Sequence, residues 1–238
     1  AGQGFLHWSN NFDEVQDFEG QIRGLAGGTG LMSDAAFFAG TRSQPLGDRK
    51  TGQSADLDAL AAYVASLNRF DDSPFRPSST TLTTAANEGK TLFRSLNCAA
   101  CHAGTGFTAS GANTLLDVGT LKATSGQRLG APLAGIDPPT LRDVWATAPY
   151  LHDGSAPTLA AAVQAHAGAA TLAAADVDRL VAYLQQIGRE ESAAPQDPGA
   201  GTGLVGRYYN GTALAGTPLV TRTEAVDFAW GTASPAAA

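Results

Sequence analysis

One short run, Cys98-Ala99-Ala100-Cys101-His102, constrains this chain more than any other feature of its sequence. The spacing Cys-x-x-Cys-His is the attachment motif of c-type haem. Each cysteine sulfur can bond to a vinyl group of the haem, and the imidazole that follows becomes an axial ligand of the iron. The sequence therefore predicts one covalently bound haem c, held by Cys98, Cys101 and His102, and a redox role.

Two other uses of a Cys-x-x-Cys pair fit the sequence poorly. The chain has 2 cysteines, both in this motif, so a four-ligand zinc site would lack its second pair. A thioredoxin-like redox pair would need a βαβ context. The residues before Cys98 instead predict an amphipathic helix, because Leu92, Phe93 and Leu96 form one apolar stripe.

The charge of the chain limits its partners. With 15 Lys and Arg against 22 Asp and Glu, the formal net charge is −7. Binding to phosphate groups needs clustered basic side chains, so we expect no nucleic acid partner. No apolar run approaches the roughly 20 residues of a membrane-spanning helix. An acidic surface suits a redox partner protein or an electrode-like acceptor.

Hydrophobic periodicity and turn signals divide the chain into four predicted parts. Residues 1–84 form an N-terminal region that packs on the haem domain and is a remnant of a larger chain. Residues 85–188 form a cytochrome c domain, 189–203 a linker, and 204–238 a short β-type tail. The predicted fold class is mainly α: a cytochrome c-like helical domain with long haem-wrapping loops. Because haem c is attached outside the cytoplasm, we expect a periplasmic or extracellular location.

The sequence also predicts individual helices and strands. A helix is expected over 56–68, with Ser54 as its N-cap. The last helix is expected over 174–187, with Gly188 as its stop. Residues 140–146 could form a short helix, and 204–209 and 225–230 predict two β segments.

Several short motifs surround the haem motif in a definite order. They are Gly89-Lys90-x-Leu92-Phe93, then Pro139-Thr140-Leu141-Arg142-Asp143-Val144, Ala148-Pro149-Tyr150-Leu151-His152-Asp153-Gly154-Ser155, Thr158-Leu159-x-x-Ala162-Val163 and Leu180-Val181-Ala182-Tyr183-Leu184. Together they resemble the C-terminal haem domain of the bacterial di-haem cytochrome c peroxidase and MauG family. The resemblance covers residues 89–187, and residues 56–84 also resemble the segment that precedes that domain.

The chain departs from that family in two ways. The family carries two haems, whereas this chain has one attachment motif, so a second haem domain would precede residue 1 or be absent. The tail from Gly203 to Pro235 resembles the opening of a PA14-type β-sandwich, with Gly206-Arg207-Tyr208-Tyr209 and Asp227-Phe228-Ala229-Trp230-Gly231 as the matching residues. We expect this incomplete β segment to support self-association by strand addition.

The second axial ligand of the iron has four candidates, His7, His152, His166 and Met32, and the last two are the strongest. The resemblance implies His166, which falls at the position of the family's distal ligand, where Met is usual in the peroxidases and Tyr occurs in MauG. Met32 is the only methionine and follows a Gly-rich loop, and a thioether is a good soft ligand. His166 could instead be an exposed histidine at a helix end, and Met32 could fill a gap in the core.

Five further residues are candidates for contact with the haem. His152 resembles the family's motif histidine, which implies a position near the propionates. Arg128 and Arg142 could pair with the propionates, because the guanidinium fork matches a carboxylate. Trp145 and Tyr150 are expected to pack on the ring, although aromatic side chains are core residues in most folds.

An acidic cluster near the N-terminus could bind calcium or could simply be a solvent-exposed acidic surface. Its members are Asp13, Glu14, Asp17 and Glu19. Carboxylate oxygens are the ligands that calcium prefers, but their spacing here does not match a known calcium loop.

Three functions fit these predictions. The first is a mono-haem c-type cytochrome that transfers single electrons through a six-coordinate haem. The second is a peroxidase or MauG-like oxidoreductase with an open distal position. The third is a structural or adhesive assembly protein that uses the β tail. One haem motif and the lack of a recognisable catalytic base favour the electron carrier.

Overall fold

The structure is a computed structural model that describes residues 4–191, 204–208 and 220–224. The chain divides into two units, residues 1–193 and 194–238, and each is described by itself. The first unit is built on helices α1 (Glu19–Gly24), α2 (Asp34–Phe37), α3 (Ala55–Ser66), α4 (Thr84–Ser95), α5 (Leu159–Ala165) and α6 (Ala174–Leu184). Helices make up most of the regular secondary structure in the described part of the chain, as the sequence predicted.

Short 3-10 turns separate these helices and lie next to several predicted site residues. The turns span Val15–Phe18, Cys98–Ala100, Ser110–Ala112, Val144–Ala146 and Ala167–Ala169. The region predicted as a short helix from Thr140 to Ala146 contains one such turn. The haem motif therefore begins in a single 3-10 turn directly after α4.

Helices α4 and α6 form the main core. The hydroxyl of Thr83 caps α4, because it accepts a hydrogen bond of 3.2 Å from the Ala86 N–H. The buried members of the core are Ala86, Phe93, Phe107, Leu159, Leu180, Tyr183, Leu184 and Ile187. Burying one large side chain is worth about 1.5–3 kcal/mol, so this cluster holds α4 firmly and positions the haem motif that follows it.

Gly89 lets the backbones of α4 and α6 approach closely. A Cβ atom here would overlap the carbonyl group of Arg179 and lie 3.0 Å from the Cβ of Tyr183. Four residues after Gly89, Phe93 packs edge-to-face on Tyr183 with 5.5 Å between ring centroids. The close crossing of α4 and α6 therefore depends on Gly89, which has no side chain, and on the aromatic ring of Phe93 four residues later.

A buried charge network joins the connector before α4 to the residues after α6. Glu191 lies 2.6 Å from both the Arg76 guanidinium and the Lys90 ammonium group. Its carboxylate also accepts a 3.4 Å hydrogen bond from the Tyr183 hydroxyl. Because Glu191 is 3 % exposed, its charge is compensated by two cations, as a buried carboxylate requires.

The segment between the haem motif and α5 consists mostly of loop. It contains a small antiparallel hairpin, β1 (Gln127–Arg128) paired with β2 (Ala131–Pro132). Isolated bridges join Leu116 to Ile136 and Tyr150 to Ala156. That these loops wrap a haem stays a prediction.

The N-terminal region has its own small core. Met32, Phe37 and Leu57 form this second cluster, separate from the α4–α6 core. Hydrogen bonds link the region to the loops after the haem motif, including one of 2.8 Å from the Asp137 N–H to the Trp8 carbonyl oxygen. Helix α3 begins after Ser54, whose hydroxyl accepts from the Leu57 N–H.

The carboxylate of Glu19 holds the segment around Met32. It accepts hydrogen bonds from the Leu31 N–H at 2.9 Å and the Met32 N–H at 3.0 Å, and Arg23 lies 2.7 Å away. Burial raises the pKa of Glu19, but these hydrogen bonds and the Arg23 charge outweigh it, and the net pKa is lowered. Glu19 therefore contributes stability as a charged group.

Replacing Glu19 with glutamine is expected to destabilise the fold by about 2 kcal/mol at pH 7, because three donors lose a charged acceptor. The pKa of Glu19 is lower in the folded state than in the unfolded state, so its contribution is present above the unfolded pKa and is lost as pH falls through the folded value. Chemical denaturation of the wild type and Glu19→Gln from pH 7 to pH 3 should show the difference shrinking with acidity.

Asp34→Asn provides the matched control, because Asp34 binds the same Arg23 from an exposed position. Its expected effect is below about 0.5 kcal/mol. Equal losses for the two variants, or a Glu19→Gln loss that does not change with pH, would show that this assignment is wrong.

The second unit contains one described hairpin. Strand β3 (Leu204–Tyr208) pairs antiparallel with β4 (Val220–Glu224), and Leu204 faces Glu224 in the register. The second predicted β segment, residues 225–230, lies outside the described residues. The PA14 resemblance stays a prediction. Within the described residues, no helix has the length and apolar character needed to span a membrane.

Candidate haem-binding site

The two thiols of the motif lie in one tight turn. Asn97 leaves α4 in the left-handed region with a φ of 58°, and the 3-10 turn Cys98–Ala100 follows. The Cys101 N–H closes the turn on the Cys98 carbonyl oxygen at 3.2 Å. Both thiols are half-buried and free. Burial raises the pKa of the Cys98 thiol, so it is protonated at neutral pH.

The ring of His102 is oriented by two backbone carbonyl groups. Its Nδ1 lies 3.3 Å from the Phe107 oxygen and 3.1 Å from the Pro139 oxygen. These acceptors favour a proton on Nδ1, which leaves the lone pair on Nε2 for a metal. Burial and the charge of His166 lower the pKa of His102 to about 4, so the ring is neutral at neutral pH.

His166 lies near His102 in space. Its charge acts on the His102 ring, an interaction that weakens with distance. His166 ends α5, and its Nδ1 contacts the Ala162 carbonyl oxygen at 2.8 Å. The Nε2 atom of His166 is therefore the one left for a metal, as in His102.

Met32 belongs to a different part of the fold. It is 5 % exposed and packs with Phe37 and Leu57 in the N-terminal core. The surroundings of its side chain match the gap-filling role of a core methionine. The charge of His166 acts on the His102 ring, whereas Met32 packs in the separate N-terminal core.

Two buried nitrogen atoms near the predicted ring contacts have no partner among the described residues. They are Nε1 of Trp145 and Nδ1 of His152. Trp145 packs edge-to-face on Phe75, and His152 contacts the Ser125 hydroxyl at 2.7 Å through Nε2. Buried polar groups normally have a partner, so each nitrogen is available to a ligand group.

The two candidate arginines bind backbone carbonyl groups. Arg142 donates to the Thr105 oxygen at 2.7 Å and the Gly188 oxygen at 2.5 Å. Arg128 donates to the Ser9 oxygen at 2.8 Å and the Asn10 oxygen at 3.2 Å. Both side chains thus tie loops together. Their pairing with propionates stays a prediction.

Tyr150 and the acidic cluster also have defined surroundings. Tyr150 packs against the α4–α6 core, and burial raises the pKa of its hydroxyl. In the acidic cluster, Asp17 lies 2.5 Å from the Lys50 ammonium group, and Glu14 accepts from the backbone of Lys50. No group of three metal-binding side chains occurs within the described residues, so the predicted calcium site gains no support.

A family model described as RoxA-like, cytochrome c-like matches residues 135–169. This segment includes Pro139, which orients His102, and His166, whose charge acts on it. The chain contains a cytochrome c-like domain.

Two curated proteins are similar to parts of the chain. The hydrazine synthase subunit gamma of Kuenenia stuttgartiensis is 33% identical over 138 residues, which cover 43% of this chain and 38% of that protein. The cytochrome c peroxidase Ccp of Escherichia coli (strain K12) is 32% identical over 147 residues, covering 55% of this chain and 31% of that protein. The cytochrome c-like domain is therefore related to peroxidase-type haem proteins, and the chain spans only about a third of either relative.

Two solved structures also resemble the chain. One is Kuenenia stuttgartiensis hydrazine synthase pressurised with xenon, with a TM-score of 0.42, 26% identity, and coverage of 55% of this chain and 54% of that one. The other is a MauG-like protein associated with microbial copper homeostasis, with a TM-score of 0.36, 25% identity, and coverage of 50% and 52%.

The residues of the cytochrome c-like domain fit a covalent haem. Two thiols in one turn are followed by an imidazole whose Nδ1 is already engaged. A second imidazole lies nearby, with its own Nδ1 engaged. The unpartnered nitrogens of Trp145 and His152 could donate to the haem carboxylates.

The sequence did not reveal which groups orient His102. The acceptors are the carbonyl groups of Phe107 and Pro139, and every residue has such a group. The loop carrying Pro139 is held by a 2.5 Å hydrogen bond from the Thr108 hydroxyl to the Pro138 oxygen. The one available signal was proline itself, which fixes the backbone of the Pro138-Pro139 pair.

Proposed function

We propose that the chain is a mono-haem c-type cytochrome that carries single electrons. Cys98 and Cys101 would hold the haem covalently, and His102 and His166 would hold its iron. The observation that carries the proposal is the orientation of the His102 ring with a second imidazole, His166, nearby. His102 is oriented by two carbonyl groups, and the charge of His166 acts on it.

The protein's own groups tune such a site. The haem, when bound, supplies a one-electron couple. The hydrogen bonds from His102 to Phe107 and Pro139 fix its ring and raise the basicity of Nε2. Trp145 Nε1 and His152 Nδ1, which have no partner among the described residues, would donate to the propionates and hold their charge in place. We propose a periplasmic or extracellular location and a redox protein as partner.

A peroxidase is the second candidate, favoured by the 32% identity to the E. coli cytochrome c peroxidase. It would need an open iron position to admit peroxide. His166 argues against this candidate, because its imidazole lies near His102 and would hold the iron at the position that peroxide needs.

Carbon monoxide and hydrogen peroxide separate the two functions. We expect the reduced holoprotein not to bind carbon monoxide and the oxidised holoprotein to react slowly with peroxide, because both axial positions are filled. Absorption spectra recorded during titration with each reagent provide the measurement. Rapid peroxide reaction together with carbon monoxide binding would assign the peroxidase function instead.

A further inference from the structure

The N-terminal region contains a cavity that none of the residues assigned to the haem lines. Its volume is about 260 Å³, and its walls come from the 3-10 turn before α1, from α1 itself, and from residues 42–45 and Lys50. Pockets for drug-sized molecules usually measure roughly 300–1,000 Å³. The cavity therefore suits a smaller molecule.

Two cations and one carboxylate lie among the lining residues. Lys50 is 2 % exposed, and its ammonium group lies 2.5 Å from the Asp17 carboxylate, which compensates its charge. Arg42 donates from Nε to the Arg49 carbonyl oxygen at 3.1 Å and from Nη1 to the Ala36 oxygen at 3.5 Å. No carboxylate of the described residues forms an ion pair with Arg42. The lining thus carries one net positive charge, which favours an anion.

The uncharged side chains of the lining offer partners for hydroxyl groups. Oδ1 of Asn11 is buried and has no hydrogen-bond partner among the described residues. Because a buried acceptor without a partner is unfavourable, a ligand hydroxyl that donates to this atom would be stabilising. The amide of Gln21 and the hydroxyl of Ser43 also line the cavity, and both groups can donate and accept.

Gly20 keeps the cavity open on the side of α1. Glycine is less favourable than alanine inside a helix. Packing does not require glycine at this position, because a Cβ atom there would meet nothing within 4 Å beyond its own helix and chain neighbours. Since Gly20 lines the cavity, a larger side chain at this position would occupy part of it.

We propose that this cavity binds a small hydroxycarboxylate, such as a sugar acid. The carboxylate of the ligand accepts hydrogen bonds from Arg42 and Lys50, and a hydroxyl of the ligand donates to Asn11 Oδ1. An ammonium group has three donors, and the ion pair with Asp17 uses one of those of Lys50. None of these residues takes part in the proposed haem binding, so this site is independent of the proposed function.

Isothermal titration calorimetry of the haem-loaded full chain tests the site with three probes. Gluconate has a carboxylate and hydroxyl groups, sorbitol has a hydroxymethyl group in place of the carboxylate, and hexanoate lacks the hydroxyl groups. We expect saturable binding of gluconate and at least about tenfold weaker binding of the other two, because each lacks one of the two recognised groups. The absence of saturable gluconate binding would overturn the proposal, as would equal binding of gluconate and either other probe.

Two matched pairs of variants locate the site. Arg42→Gln should weaken gluconate binding at least about tenfold. Arg49→Gln removes the same charge from a side chain that is 80 % exposed and outside the lining, and should leave binding unchanged. Gly20→Leu should block binding by filling the cavity, whereas Gly24→Leu, in the same helix with equal room for a side chain, should not.

Circular dichroism checks that each variant folds. Binding that survives both Arg42→Gln and Gly20→Leu would show that gluconate does not occupy this cavity. Equal losses for Arg42→Gln and Arg49→Gln would show that binding depends on general surface charge, and would also count against the site.

Discussion

Replacing Cys98 and Cys101 together by serine is expected to abolish covalent haem attachment. A serine hydroxyl cannot form the thioether bond, and the chain has no other cysteine to take over. The mass of the denatured variant should equal that of the polypeptide alone, whereas the wild type should exceed it by one haem. Haem staining of a denaturing gel gives a second readout of the same loss.

The control lies in the same turn. Ala99 and Ala100 occupy the two positions between the cysteines, and Ala100 is exposed. The Ala99→Ser/Ala100→Ser variant should keep the full haem mass, because it changes polarity in the turn without removing a sulfur. Haem retained by the double serine variant of the cysteines would disprove attachment at this motif.

His166→Ala should convert an inert haem into a reactive one. If His166 holds the iron as proposed, removing its imidazole opens one axial position, which exogenous ligands can then fill. We expect the reduced variant to bind carbon monoxide stoichiometrically and the oxidised variant to shift towards a high-spin spectrum. Added imidazole should restore the low-spin spectrum, since the ring it supplies replaces the one removed.

Met32→Leu is the matched control for His166→Ala. Met32 packs with Phe37 and Leu57 in the N-terminal core, and leucine conserves most of its volume. The spectrum of this variant should equal that of the wild type. A spectral change in Met32→Leu with none in His166→Ala would reverse the ligand assignment.

Local signals in the sequence predicted the helices well. Ser54 as N-cap and the apolar spacing of Leu57 and Ala61 predicted α3, which the structure places at Ala55–Ser66. Such signals act within a few residues, so they can be read without the fold. The exposure of the apolar side chains Leu60, Tyr63, Val64 and Leu67 could not be predicted in this way. Apolar side chains at the same spacing in and after α6, namely Leu180, Tyr183, Leu184 and Ile187, are buried.

The end of the last helix shows where local reasoning fails. Gly188 suggested a helix running to Ile187, but α6 ends at Leu184. Glycine is required at position 188 for another reason, because a Cβ atom there would lie 2.6 Å from the Ser73 nitrogen. This contact joins positions far apart in the sequence, and no local pattern contains it.

The candidate haem-binding site also has one part that the sequence predicted and one part that it did not. The Cys98–His102 run could be read directly from its spacing, whereas the orientation of His102 depends on the path of the loop to Pro139. Arg142 illustrates the same limit. Its guanidinium group lies 5.4 Å from the Phe107 ring and binds carbonyl groups of two loops, contacts that depend on the folded backbone.

Near-infrared magnetic circular dichroism of the oxidised holoprotein tests the ligand set most directly, because its charge-transfer band depends on the identity of both axial ligands. The proposed pair, His102 and His166, predicts one low-spin haem with a bis-histidine band. A sulfur-to-iron band would contradict the pair in favour of Met32, and a high-spin spectrum would contradict it in favour of an open, peroxidase-type iron.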